Sequence, residues 1–241
     1  MTKLAYNYFD YSKNLLVGII FILPFLFLYE LICLFYFRYS DYEIRNTADV
    51  IIHDLFYYFG SYSQFAYSIS LLLVVLFIYY YNVKKNKNLN IIPIYLLLIA
   101  LEGIIYGFIL TMTLNNPEIF NIRDFYQSDL LLSLYLCIGA GVWEEILFRL
   151  IIYNLCLLSL FKILFKKSGF FNIFISIFFC SFLFSLFHYI GANGDIFNIS
   201  SFYYRFIGGL YLTTLYHYRG FGVASMAHLS YDFILVSLPL I

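Results

Sequence analysis

Three short groups of polar residues stand out because they sit where polar residues are costly. The first is Trp143-Glu144-Glu145-Ile146-Leu147-Phe148-Arg149, two adjacent acids followed by a base within an apolar run. Glu145 and Arg149 are four residues apart with the acid on the N-terminal side, the favourable order for a helical ion pair. Glu144 is turned about 100° from Glu145 on a regular helix, so it need not share that guanidinium. A carboxylate free of a cation partner in a dry setting is suited to take a proton as a general base. The second group is Phe184-Ser185-Leu186-Phe187-His188, in which Phe184 stands one turn before the imidazole and can pack on it. The third is His228-Leu229-Ser230-Tyr231-Asp232, whose spacing puts His and Asp on one helical face. There the acid can fix the imidazole tautomer or, when protonated, donate a hydrogen bond.

Each group has a plain structural alternative: a charge cluster, a hydrogen-bonded packing histidine, a local His–Asp pair. All three alternatives must hold together for the chain to lack chemistry. Jointly the groups supply a base, donors for an oxyanion and a water-poor setting, the parts of an acyl-transfer hydrolysis. Glu144, His188 and His228 could also hold a zinc ion and leave one position for water. Without an HExxH pattern, direct holding of water with no obligatory metal is the preferred expectation, with Zn²⁺ as the alternative.

The elements that carry these groups must be membrane helices. Hydrophobic residues make up 63% of the chain and charged residues 12%, about half the charged share of a soluble domain. Aromatic residues reach 23%, and many Tyr and Phe lie near the ends of apolar runs, as interfacial rings do. The formal net charge is zero, which gives nucleic acid no basic stripe to bind. Cys33, Cys137, Cys156 and Cys180 lie in apolar runs without CxxC spacing and read as packed thiols. The first apolar run is too long for a signal segment and has no small-residue cleavage site after it.

A span takes roughly 20 apolar residues, and the pattern predicts an all-α bundle of about seven. They are expected at Leu15–Phe37, Tyr62–Val83, Ile91–Thr113, Leu130–Phe165, Phe170–Ile190, Phe202–Tyr218 and Phe221–Ile241. Asp49–Phe59 reads as an interfacial helix, with His53 and Asp54 structural. The Leu130–Phe165 run exceeds one crossing, so Gly139-Ala140-Gly141 is a plausible break or bend. Lys3, Lys13, Lys84 to Lys87, Lys162 to Lys167 and Arg219 fall on one side when the spans alternate, which predicts a cytoplasmic N-terminus. Counting depth along such spans leaves His188 near the outer end of its helix and His228 in the inner third of its own. Their meeting then requires shifted edges or a Gly220-Phe221-Gly222 turn that dips into the bilayer. Glu30 and Glu102 are further acids at span depth, expected to pair with interior polar groups or to line substrate entry. Gly208-Gly209 reads as a close helix contact.

In order and spacing, Glu144-Glu145…Arg149, Phe184…His188 and His228…Asp232 resemble the motif set of the CPBP family, which includes the type II CAAX prenyl endopeptidases and the bacterial Abi proteins. The resemblance covers about Gly141 to Ile241. It divides the chain into N-terminal spans with an interfacial helix, 1–128, and a catalytic membrane core, 129–241. It implies an intramembrane endopeptidase that activates water with Glu144, with His188 holding or polarising that water. His228 and the residue four later would stabilise the oxyanion, and Glu145 and Arg149 would support the site. Two positions depart from the pattern: Leu150 follows Arg149 where many members have Gly, and Asp232 stands where many have Asn. Asn donates a hydrogen bond at any pH, whereas Asp donates only when protonated. The implied partners are the lipid bilayer and a peptide or lipidated peptide. Residue usage rich in Lys, Asn, Ile, Phe and Tyr points to an AT-rich genome and a bacterial plasma membrane. Two other classes were weighed: a non-enzymatic bacteriocin-immunity or peptide-binding membrane protein, and a transporter, for which no inverted repeat is visible.

Overall fold

The chain is described by a computed structural model covering residues 3–38, 44–57, 80, 91–114, 130–165, 169–190 and 194–237. The expected span Tyr62–Val83 apart from Tyr80, the cluster Lys84 to Lys87, the loop Asn115–Ser128 and the side chain of Cys156 lie outside the described residues. The described residues form helices and no strand. In chain order these are α1 (Lys3–Ser12), α2 (Leu15–Tyr36), α3 (Thr47–Tyr57), α4 (Pro93–Thr113), α5 (Leu130–Gly139), a π-helix (Ala140–Leu158), α6 (Ser159–Phe165), α7 (Phe170–Phe187), α8 (Ile199–Arg219) and α9 (Phe221–Ser237).

Leu15–Tyr36, Pro93–Thr113, Leu130–Leu164 and Phe170–Phe187 are long and apolar enough to cross a membrane, and Phe221–Val236 is a shorter apolar helix. Helix α8 is as long as the others, but Ser200, Ser201, Arg205, Thr213, Thr214 and His217 dilute its apolar content. The outward faces carry large apolar side chains such as Phe27, Leu34, Ile105 and Phe174, which suits a lipid solvent.

Two local features depart from expectation. Helix α1 precedes the first apolar run and is tied to the bundle by its polar tips. The Ile92 N–H donates to the Tyr11 hydroxyl at 3.0 Å, and Tyr8 donates to Glu102. The Gly139-Ala140-Gly141 stretch does not break its helix. There the hydrogen-bond pattern widens to i→i+5 and remains π-helical to Leu158. Single π turns are common at functional sites because they re-aim side chains without ending a helix.

Helix α9 is the hub, packed against α4, the π-helix, α8, α2 and α5. Its Val223, Ala224 and Ala227 are fully buried, and its neighbours meet it through glycine. A Cβ at Gly107 would lie 2.7 Å from the Ala227 carbonyl oxygen, and one at Gly141 would lie 2.9 Å from Leu229 Cα. Small residues let backbones approach, the usual device where hydrophobicity cannot drive association. Gly209 of α8 similarly meets Ser181 and Phe184 of α7, with a Cβ–Ser181 Cα separation of 3.1 Å. That is the close contact expected at Gly208-Gly209. Helix α9 starts directly after Gly220, whose φ of 93° is the left-handed conformation glycine tolerates. Cys33, Cys137 and Cys180 are buried free thiols.

Candidate active site

The π-helix, α7 and α9 bring the three sequence groups together. Glu145 and Arg149 are fully buried, with guanidinium NH1 2.9 Å from Glu145 Oε1. The same oxygen lies 2.8 Å from His228 Nδ1. An ionised carboxylate only accepts, so Nδ1 carries the proton and donates. This leaves His228 Nε2 directed at two other acids, Asp232 Oδ2 at 3.5 Å and Glu144 Oε2 at 4.0 Å. Glu145 therefore orients the imidazole, and Arg149 supplies the compensating charge that makes a buried carboxylate tolerable.

Glu144 has different partners, as its turn away from Glu145 requires. Its Oε1 accepts from Asn46 Nδ2 at 2.9 Å, and its Oε2 faces His228. Among the described residues, then, the two adjacent acids are held by separate donors. Glu145 has the guanidinium and an imidazole, whereas Glu144 has a neutral amide.

His188 sits at the C-terminal cap of α7, where its Nδ1 lies 2.9 Å from the Phe184 carbonyl oxygen. A carbonyl only accepts, so this nitrogen too is the donor, and Nε2 of the neutral ring keeps its lone pair. Phe184 lies against both histidines. Its ring centroid is 5.1 Å from that of His188 and 6.0 Å from that of His228. The Arg149 guanidinium carbon stands 4.5 Å above it, within cation–π range. One aromatic ring thus lies against both imidazoles and the buried cation. Phe148 packs edge-on against it at 5.1 Å.

Among the described residues no group of three or more His, Cys, Asp or Glu side chains is arranged to hold a metal ion. Asp232 faces His228 rather than presenting a donor outward. As a carboxylate it can orient or balance the imidazole, whereas an oxyanion contact would require its protonated form.

Neither Glu30 nor Glu102 belongs to this cluster. Glu102 accepts both Arg219 Nε (2.5 Å) and NH2 (2.8 Å) in a forked pair and also receives the Tyr8 hydroxyl. Burial, then the neighbouring carboxylate, pushes the Tyr8 hydroxyl above its ordinary pKa. Arg219 also stacks 4.0 Å over Phe9. Glu30 accepts two bonds from Arg45, both at 3.1 Å, and Arg45 reaches Asp49 at 2.9 Å. Burial opposes the Arg45 charge, but its bonds to Glu30 and Asp49 outweigh this and hold its pKa above the ordinary value. Both acids hold helices together. His53 is partly buried and Asp54 exposed on α3.

Sequence reasoning missed Asn46. The available signal was local: Asn46-Thr47-Ala48-Asp49 reads as a helix N-cap with an acid in the first turn.

The helices and this cluster define a membrane-type helix bundle with a buried polar centre. Residues 126–234 match the family model described as type II CAAX prenyl endopeptidase Rce1-like. This match agrees with the resemblance of the three motifs to the CAAX-protease family. No curated protein and no solved structure matches the chain.

Proposed function

We propose that the chain is an intramembrane endopeptidase that hydrolyses a peptide bond of a membrane-associated peptide or lipidated protein with water activated by Glu144. The observation that carries this reading is the separation of roles between neighbouring acids. Glu145 is committed to Arg149 and His228, while Glu144 keeps an oxygen, Oε2, directed into the His228–Asp232 side of the cluster. In the first step a water O–H bond breaks, its proton passes to Glu144, and its oxygen bonds to the scissile carbonyl carbon. His188 Nε2 holds that water, and His228, held by Glu145 at Nδ1 and protonated at Nε2 as well, donates to the developing oxyanion. Collapse breaks the C–N bond, and the proton on Glu144 passes to the leaving amine.

On this reading 129–241 is the catalytic core, and 1–128 contributes to it through Asn46. No metal is assigned a step. The protein lies in a bacterial plasma membrane with its N-terminus cytoplasmic, in keeping with the one-sided placement of Lys and Arg. The test is reconstitution in vesicles with a library of membrane-anchored peptides, lipidated and unlipidated, read by mass spectrometry of the products. Cleavage by wild type that is abolished in Glu144→Gln supports the reading. Equal cleavage by both overturns it.

A further inference from the structure

Glu144 is held by a residue 98 positions earlier in the chain, outside the segment that matches the protease family. The contact is determined from both ends of the Asn46 amide. Its Oδ1 accepts the Ala48 N–H at 2.9 Å and so caps α3. With that oxygen occupied, the NH2 group faces Glu144 Oε1, also at 2.9 Å. The helix cap thus settles which way the amide points.

The short segment bearing Asn46 is clamped at three successive residues. Tyr135 donates to the Ile44 carbonyl oxygen at 2.7 Å. Arg45 forks onto Glu30 and reaches Asp49. The Asn46 N–H donates to the Tyr29 hydroxyl at 3.1 Å. Tyr29 is itself stacked on Tyr135, with ring centroids 4.4 Å apart and planes 7° from parallel. Gly139 makes room for this packing, since a Cβ there would lie 2.9 Å from Tyr29 Cε2 and 3.2 Å from Asn46 Cβ. The segment that carries the amide is thus fixed on both sides of it, as well as through the cap of the 11-residue helix α3.

We propose that Asn46 is a positioning residue for Glu144: its amide fixes Oε1 and thereby presents Oε2 toward His228 as the oxygen that receives the proton from water. This rests on the reading of Glu144 as the base. It gives the N-terminal spans a direct part in the chemistry, and it gives Glu30 a purpose, that of holding Arg45 beside the positioning amide.

The decisive variant is Asn46→Asp. Aspartate keeps the oxygen that caps α3 but replaces the N–H donor with a second carboxylate oxygen beside Glu144. The thermal midpoint should fall by only a few degrees at neutral pH, the amount that a shift of about one unit in one carboxylate costs. At neutral pH kcat should fall about tenfold or more with KM within about twofold, and the acidic limb of the pH–kcat profile should move up by about one unit or more, as expected when a carboxylate loses a donor and gains a like charge. Asn46→Ala should move the limb less and lower the thermal midpoint through the lost cap.

A second readout does not depend on turnover. The carboxyl infrared band of Glu144, assigned by its absence in Glu144→Gln, should titrate at higher pH in Asn46→Asp. If the band and the pH profile stay where they are in wild type, the inference is overturned, even if kcat falls. If the band moves but wild type cleaves no peptide, the coupling of Asn46 to Glu144 stands and the peptidase reading fails.

Discussion

Adjacent glutamates look interchangeable in a sequence, and their separation is the sharpest consequence of the geometry. Glu145 is fully buried and contacts Arg149 at 2.9 Å and His228 at 2.8 Å through one oxygen. Replacing it with Gln keeps the shape but leaves Arg149 as a buried charge with no compensating anion in contact. Breaking a buried pair this way costs about 3–5 kcal/mol, which for a chain of this size corresponds to a fall on the order of 10 °C in the unfolding midpoint. Activity falls as well, because the Gln oxygen holds the His228 N–H less strongly than a carboxylate does. Glu144 makes one neutral hydrogen bond, which the Gln oxygen can still accept from Asn46. Glu144→Gln should therefore insert, fold and unfold near the wild-type midpoint, while turnover falls at least about 100-fold, the usual worth of a positioned base. The assay pairs unfolding in detergent with cleavage of the same peptide by both variants and wild type. A Glu144→Gln protein that still cleaves, beside a Glu145→Gln protein that is stable and inactive, would refute the assignment and reverse the roles.

Three further outcomes are expected. Purified protein should keep its peptidase activity after strong chelation; loss of activity with recovery on adding Zn²⁺ would move His188 and His228 to ligand roles. Gly141→Ala should be inactive and destabilised, because the new Cβ would meet Leu229 backbone atoms at 2.9 Å and push α9 with His228 away from Glu145. Displacements of about 1 Å cost roughly 100-fold in rate, so near-normal turnover would show that the glycine contact does not set the site. Phe184→Ala should cost about 3–5 kcal/mol by removing a buried ring, whereas Phe184→Leu should recover most of the stability but not the turnover; full activity of the Leu variant would show that the ring only fills space.

The spans were legible because a bilayer demands long apolar runs. The expected Leu15–Phe37, Phe170–Ile190 and Phe221–Ile241 correspond to helices Leu15–Tyr36, Phe170–Phe187 and Phe221–Ser237, the second ending sooner and the third described as far as Ser237. The pairing of Glu145 with Arg149 was legible because four-residue spacing survives even where the helix widens. The widening itself was not, since no residue type marks an i→i+5 ladder, and Gly139-Ala140-Gly141 suggested a break or bend instead. Helix α1 was missed because it lies before the apolar run and is secured by Tyr8 and Tyr11, whose partners Glu102 and Ile92 are remote in sequence. Asn46 was missed for the same reason. Its cap role is local and readable, but its bond to Glu144 exists only once the α2–α3 segment and the π-helix are packed together.

Depth counting along separate spans leaves out how such a site is held together. It treated His188 and His228 as points on parallel rods that must reach one level. Phe184 instead lies against both imidazoles and the Arg149 guanidinium, so His188 joins the cluster through an aromatic ring one turn earlier on its own helix. A water molecule held between such groups needs each of them fixed from behind, because a loosely held base or imidazole loses the benefit of proximity. The fixing groups here differ for each member: Asn46 for Glu144, Glu145 for His228, and the Phe184 carbonyl for His188. Only the last two belong to the motifs that spacing reveals. The first comes from the N-terminal spans, so the short motifs that mark the family can carry the reacting groups without carrying everything that holds them in place.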